Sequence, residues 1–271
     1  MATERIENPF TQRRAQAGLP PREGAPPREE AAPPAPAAAP PTARVARVEP
    51  KLRPMTGYEE EVVEAHRADP NTAALCNEIV ARCMVAPGAD FESAYQRVRS
   101  MSTVDRDVAL VRIRTLSLGD LVQLEVLCPA CGHKNEVDFK LSALPLPDTV
   151  IPEEVEVTLP DTAVPEGSPS RTALARTPTA GDQEDLLSAD LPSQSARLTF
   201  LLARVLRRYA GAEGPFDLDF VRALPISARA AIERAIESKI PDLDLGMAVQ
   251  CASCAADFAS PFDVAAFFLP R

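Results

Sequence analysis

The sequence contains no tryptophan and only two histidines, and aromatic residues make up 5% of it. A core built with so few large rings has to be filled by leucine, valine, isoleucine and alanine. Long apolar runs are missing as well. Stretches such as Phe200–Leu202 fall far short of the roughly 20 residues that a membrane-spanning helix requires. The recognised catalytic patterns are absent: no GxxxxGK[ST] phosphate cradle, no GxSxG nucleophile turn and no HExxH helix. His66 sits in a helical stretch and His133 in a turn, so no base can be paired with a nucleophile, and the chain reads as non-catalytic. Basic surface is scarce too. The formal net charge is −10, and no lysine or arginine lies between Gly246 and Pro270.

What the chain does have is six cysteines, four of them in two CxxC pairs. Cys128 and Cys131 frame Pro129-Ala130 and are followed by Gly132; Cys251 and Cys254 frame Ala252-Ser253. Alternating apolar residues flank the first pair, with Val122, Leu124 and Val126 before it and Val137, Phe139 and Leu141 after it. That period predicts two strands with the CxxC at their turn. Two such turns face to face would offer four thiolates at the corners of a tetrahedron, the set that zinc takes in closed structural sites. The expectation is a zinc ribbon split by about 120 residues of inserted chain. Structural disulfides and a thioredoxin-like redox pair are the competing readings. No signal peptide is recognisable, which favours a reducing compartment, and neither pair opens a helix in a βαβ setting. Four protein ligands leave no open position, so the metal would stabilise the fold and not catalyse. His133 is a fifth candidate ligand or an exposed turn residue. Cys76 and Cys83, seven apart on one predicted helix, read as buried thiols.

Residues 1–54 stand apart as a proline- and alanine-rich tail, expected to be disordered because it cannot bury enough apolar surface. Ile6, Phe10 and Leu19 near its start could form a short docking peptide. Residues 55–119 predict a helical region: Thr56 and Glu59 form a capping box, Asn71 caps a second helix, Asp90 starts a third, and Ser102 or Thr103 opens a fourth that Gly119 stops. On the fourth, Val104, Val108, Leu110 and Val111 make the buried stripe, and Arg106, Arg112 and Arg114 are expected on the exposed side. Residues 120–145 form the first half of the ribbon. Residues 146–244 form an insertion with a hairpin, VEVTLP and TALAR, that could extend the ribbon sheet. In it follow a Thr179-capped helix through GDQEDLL, a helix from Ser193 to Gly211, and one more capped by Ser227. Residues 245–271 carry the second half of the ribbon and a terminal aromatic segment, where Phe262, Phe267 and Phe268 either pack back or meet a neighbour.

Taken together, TGYEEEVVE, the helix ending in RCM, RIRTLSLGDLVQLEVLCPACGHKNEVDFKL, ARTPTAGDQEDLL and the terminal CASCAADFASPFDVAAFFLP give a pattern that resembles a known family. It is similar to the baseplate hub proteins of T-even-type contractile phage tails and to their relatives in phage-tail-like contractile injection systems. The likeness covers roughly Met55 to Arg271; the second knuckle lacks the Pro and Gly of the first, and the tail has no counterpart. It implies an α+β fold: a helical N-terminal part plus a split four-cysteine zinc ribbon with a helical and hairpin insertion. It further implies a non-enzymatic component, structural or for assembly, with zinc held by Cys128, Cys131, Cys251 and Cys254. The expected partners are hub, spike or wedge subunits, met through Phe10, Phe262, Phe267 and Phe268, with no small-molecule substrate. The expected location is cytoplasmic, in assembled particles or during their assembly. A zinc-ribbon nucleic-acid-binding or transcription-associated protein is the alternative. The acidic charge and the lack of aromatic platforms interleaved with basic residues weigh against it.

Overall fold

The computed structural model describes residues 50–144, 146–147, 150–241, 247–260 and 267–268. Among them are eight α-helices and eight strands, all paired antiparallel in small sheets, gathered around two hydrophobic cores.

The first core is helical. Helices α1 (Gly57–Ala65), α2 (Thr72–Cys83), α3 (Glu92–Ser100) and α4 (Thr103–Leu118) start where local chemistry supplies a cap. Glu59 reaches back to accept from the Thr56 N–H at 2.9 Å, Asn71 accepts from the Ala74 N–H at 3.1 Å, and Ser102 accepts from the Asp105 N–H at 3.0 Å. These bonds satisfy amides that the first helical turn leaves without partners. Gly119 ends α4 at φ +82°. Val63, Leu75, Ile79, Val80, Val98 and Ile113 fill the centre. Cys76 and Cys83 are buried there, and burial pushes their thiols up to about 11 and about 12, which leaves them inert. The packed chain begins earlier than residue 55. Leu52 already lies against this core, and the Arg53 guanidinium grips the buried Glu59 carboxylate at 2.9 and 3.0 Å.

Two arginines of α4 depart from expectation. Arg106 and Arg114 are 3% and 8% exposed, not on an open face. Arg106 donates to Asn77 on α2, at 3.2 Å, and to Gln183, at 2.7 Å. Arg114 donates to three main-chain carbonyls, those of Phe267, Gly119 and Leu121, at 2.8, 3.1 and 3.3 Å. Periodicity counts an arginine as polar and so as outward. Here fixed oxygens replace the water that the cation gives up, which makes its burial tolerable.

Strands β1 (Leu121–Leu127) and β2 (Lys134–Lys140) form the first hairpin, in register from Leu121↔Lys140 to Leu127↔Lys134. Val122 and Val126 are buried, and Leu124 and Phe139 pack on the helical core. Strands β3 (Glu154–Thr158) and β4 (Thr172–Arg176) follow, then α5 (Ala180–Ser188), α6 (Gln194–Val205), β5 (Leu206–Tyr209), β6 (Ala212–Glu213), α7 (Leu218–Ala223) and α8 (Ile226–Glu237). The sheet order β3-β4-β5-β6 makes a separate sheet, so the β3–β4 hairpin does not extend the β1–β2 sheet, contrary to the expectation for a ribbon. It covers the second core, where Val155, Val157, Leu202, Leu206, Ile232 and Ile236 meet.

The helix begun at Ser193 stops at Val205, six residues before the expected end at Gly211. Leu206–Tyr209 turns into a strand because Tyr209 and Leu206 bury their side chains in the second core, and Tyr209 donates its hydroxyl to the Ala163 carbonyl. Ala210 and Gly211, at φ +50° and +91°, then make a two-residue hairpin turn, whose central residues need positive φ. Gly211 is doubly constrained, since a Cβ there would sit 2.3 Å from Pro169. The cap of α8 is Pro225, not Ser227; its ring sets the entry angle.

The two cores are joined by α5, the GDQED helix. Asp182, 1% exposed, accepts from Arg176 and Arg204 and, at 2.8 Å, from the Thr179 N–H. Burial alone would raise the Asp182 carboxyl. Arg176, the Thr179 amide and Arg204 outweigh it and hold the group far below the usual carboxylate range. Glu184 and Asp185 bind Arg99 of α3, and Asp185 also binds Arg204 of α6. Asn77 of α2 donates to Glu184 at 2.7 Å. Polar groups from both cores therefore converge on one short helix.

Candidate metal centre

The CxxC pairs, 120 residues apart, come together. The first lies at the turn between β1 and β2. The second lies between β7 (Met247–Gln250) and β8 (Asp257–Ser260), which pair antiparallel with Val249 opposite Phe258. The two turns are built alike. The Cys128 N–H donates to the His133 carbonyl and the Cys251 N–H to the Ala256 carbonyl, both at 2.9 Å. The fifth residue of each turn donates back to the first cysteine's carbonyl, Gly132 to Cys128 and Ala255 to Cys251, again at 2.9 Å. That fifth residue is left-handed in both, at φ +71° for Gly132 and +58° for Ala255. A missing glycine therefore did not prevent the second knuckle from forming. Ala255 takes up the strained conformation that glycine adopts freely.

All four sulfurs lie within 4.8 Å of one another. Cys128 Sγ is 3.7 Å from Cys254 Sγ, and Cys131 Sγ is 3.6 Å from Cys251 Sγ, and both of these contacts cross from one hairpin to the other. A disulfide would need about 2.05 Å. Four sulfurs about 2.3 Å from one central ion lie roughly 3.8 Å apart, which these separations match. In each pair one thiol is buried (Cys128, Cys251) and one exposed (Cys131, Cys254). Burial would raise the Cys251 thiol, yet the amides of Cys254 and Ser253 outweigh it and push it down to about 6. The His133 amide works to lower Cys131, but the neighbouring sulfurs outweigh it and push that thiol up to about 12. Four sulfurs this close resist common ionisation without a cation among them, and this donor set suits a soft divalent metal. The imidazole of His133 is not part of the group; the residue is exposed and serves through its main chain.

Asn135 was not singled out by the sequence reading. It is 5% exposed and sits in β2 opposite Val126. Its Oδ1 accepts from the Ala252 N–H of the second knuckle at 2.9 Å, while its Nδ2 donates to the His133 carbonyl at 3.1 Å. One amide side chain thus ties the two hairpins together beside the sulfurs. The available signal was parity, since Asn135 shares the inward face of β2 with Val137 and Phe139.

Phe267 and Phe268 were expected to offer partner surface. Each is 2% exposed, and they pack edge to face with centroids 5.0 Å apart within the helical core. Arg114 fixes the Phe267 carbonyl. In this aromatic-poor chain two phenyl rings gain more by filling the core than by facing water. Phe10 and Phe262 lie outside the described residues.

A mixed helix-and-sheet protein whose distant hairpins meet in a four-thiol cluster is thereby defined. The family model described as T4 bacteriophage base plate protein matches residues 43–199, more than half of the chain, and the protein belongs to that family. The matched stretch contains Cys128, Cys131 and the α5 junction, and stops before the second knuckle. Comparison with curated proteins gave no significant match, and neither did comparison with solved structures. None of the described helices is long and apolar enough to cross a membrane.

Proposed function

We propose that this protein is a non-enzymatic baseplate component, in the hub region of a contractile phage tail or phage-tail-like injection system, rigidified by a structural zinc ion. The observation that carries the reading is the four-thiol cluster in a member of a base plate family. Bound zinc would supply four metal–sulfur bonds and neutralise the thiolates. Cys128 and Cys131 would hold it from one hairpin, and Cys251 and Cys254 from the other. Asn135 orients the two turns, and the β1–β2 hairpin passes the constraint to the helical core through Val122 and Leu124. The platform then presents surface to hub, spike or wedge subunits in the particle or during its assembly. A small sheet alone could not fix the chain so firmly. The acidic residues most suggestive of acid–base chemistry, Asp182, Glu184 and Asp185, are all held by arginines, which supports a structural role.

Two measurements test this. Elemental analysis of the purified full-length chain should give one zinc per chain, lost together with thermal stability in Cys128→Ser and in Cys251→Ser. Zinc content and melting unchanged in either variant would sink the shared site. Quantitative mass spectrometry of sheathed particles from the native cells should find a fixed small copy number, or deletion should abolish the particles. Normal particles in the deletion strain, with the chain absent from wild-type particles, would sink the baseplate role.

A further inference from the structure

The four thiols of the metal centre are not equivalent. Cys128 and Cys251 are buried, and Cys131 and Cys254 are exposed. Two sulfur–sulfur contacts join one of each kind across the hairpins. The exposed Cys131 lies 3.6 Å from the buried Cys251, and the exposed Cys254 lies 3.7 Å from the buried Cys128. An oxidant arriving from solvent therefore meets one sulfur of each hairpin first, with a shielded sulfur of the other hairpin beside it. Accessible thiolate selects a cysteine for oxidation, and a neighbouring thiol resolves the product to a disulfide. Cys76 and Cys83, buried in the helical core, offer solvent no such entry. The backbone favours closure across the hairpins over closure within either CxxC. Each turn is already fixed internally, through Cys128 and Gly132 in one and Cys251 and Ala255 in the other, by main-chain bonds of 2.9 Å. The hairpins belong to separate two-stranded sheets, and the Asn135 side chain reaches across to the Ala252 N–H. Drawing two sulfurs together from 3.6 Å to about 2.05 Å thus shifts one hairpin against the other and leaves both turns intact.

We propose that the centre is a redox latch, in which hydrogen peroxide exchanges the zinc for two cross-hairpin disulfides, Cys131–Cys251 and Cys128–Cys254. This rests on the metal reading above and not on the baseplate role. The exposed thiolate, Cys131 or Cys254, attacks one peroxide oxygen. The O–O bond breaks, the sulfur becomes a sulfenic acid, and the other oxygen leaves as hydroxide and takes a proton to form water. The buried thiolate of the opposite hairpin then attacks that sulfur. The S–S bond forms, the S–O bond breaks, and a second hydroxide leaves and is protonated. Each disulfide consumes one peroxide, oxidises two sulfurs and reduces two oxygens. It also removes two of the four ligands, so the site releases its zinc. The same two segments, 120 residues apart, stay joined, now by covalent bonds that depend neither on the metal nor on reducing conditions.

The test uses the full-length, zinc-loaded chain and hydrogen peroxide in modest molar excess. A chromogenic chelator follows the metal, and mass spectrometry reads thiol-blocked tryptic digests prepared without reductant. Cleavage at Arg114 and Lys134 isolates Cys128 and Cys131 on one peptide. Cleavage at Lys239 isolates Cys251 and Cys254 on another, because no lysine or arginine follows until Arg271. The two peptides should be recovered joined, with fragment ions that pair Cys131 with Cys251 and Cys128 with Cys254. Zinc should be released in step, Cys76 and Cys83 should remain thiols, and reductant with added zinc should restore the starting state. The oxidised, zinc-free chain should melt close to the zinc-loaded one, and the reduced, zinc-free chain well below both. Any other pairing, an internal disulfide in either CxxC included, overturns the latch and leaves the metal site standing. So does conversion to sulfinic acid, or zinc retained with the thiols intact. A chain that holds no zinc before treatment overturns the metal reading and the latch together.

Discussion

Replacing Phe268 by alanine separates core packing from partner docking. The ring is 2% exposed, sits within the helical core and packs edge to face on Phe267 at 5.0 Å and 86°. Burying a phenyl ring stabilises by roughly 2–3 kcal/mol, and an aromatic pair adds about 1 kcal/mol. The cavity left behind brings the usual cost of such a truncation to about 3–5 kcal/mol. Set against a total stability of about 5–15 kcal/mol, a loss near 4 kcal/mol should raise amide exchange in α2 and α4 about a thousandfold where exchange proceeds by global opening of that unit. Amides of the β3–β6 sheet, which belong to the other core, should change far less. Hydrogen exchange with mass spectrometry reads both in one sample. A loss below about 1 kcal/mol, especially with failed incorporation into particles, would refute the packing argument and return Phe268 to the role of a docking residue.

Three further outcomes follow from the geometry. Asn135→Ala should lower zinc affinity about 10–100-fold, measured by competition with a chromogenic chelator, while the β1–β2 hairpin keeps its register. Ala255→Gly should stabilise the zinc-loaded protein by about 0.5–1 kcal/mol in urea titration, since Ala255 has φ +58°; Gly132→Ala should destabilise it by about 1 kcal/mol, as a Cβ there meets nothing within 4 Å and only the backbone objects. The Asp182 carboxyl has its folded pKa lowered, so its stabilising contribution is complete above the unfolded value of about 3.9 and is lost as pH falls through the folded value. Acid unfolding should therefore start at the α5 junction, and Asp182→Asn at neutral pH should cost about 3 kcal/mol while flattening that acid limb; an unchanged acid limb would contradict the pairing.

How much was legible in the sequence depended on how local the cause was. Helix starts were readable at Thr56, Asn71, Ser102 and Thr179 because a cap and the amides it satisfies lie within three residues of each other. Strand β1 and its hairpin were readable because alternation of Val122, Leu124 and Val126 records one buried face. The four cysteines were readable as a set because two CxxC pairs at hairpin turns supply the four-sulfur donor set of a closed metal site. The resemblance to the baseplate family rested on those same local strings, and the family match over residues 43–199 bears it out.

What the tertiary structure alone decided was set by partners far away in the chain. Leu206–Tyr209 has helix-compatible residues, yet the second core and the carbonyl of Ala163 draw it into a strand. Arg106 and Arg114 carry the most water-seeking side chain there is, but Asn77, Gln183 and the carbonyls of Phe267, Gly119 and Leu121 stand in for water. The sequence places the GDQED carboxylates in a Thr179-capped helix; only the fold shows that they clasp arginines from both cores. Phe267 and Phe268 could pack back or meet a neighbour, and only the fold places both within the helical core. Capping, alternation and thiol spacing act within one turn or one hairpin, so the sequence by itself determined them. Burial of charge and choice of core depend on what lies across the fold, and that only the tertiary structure could decide.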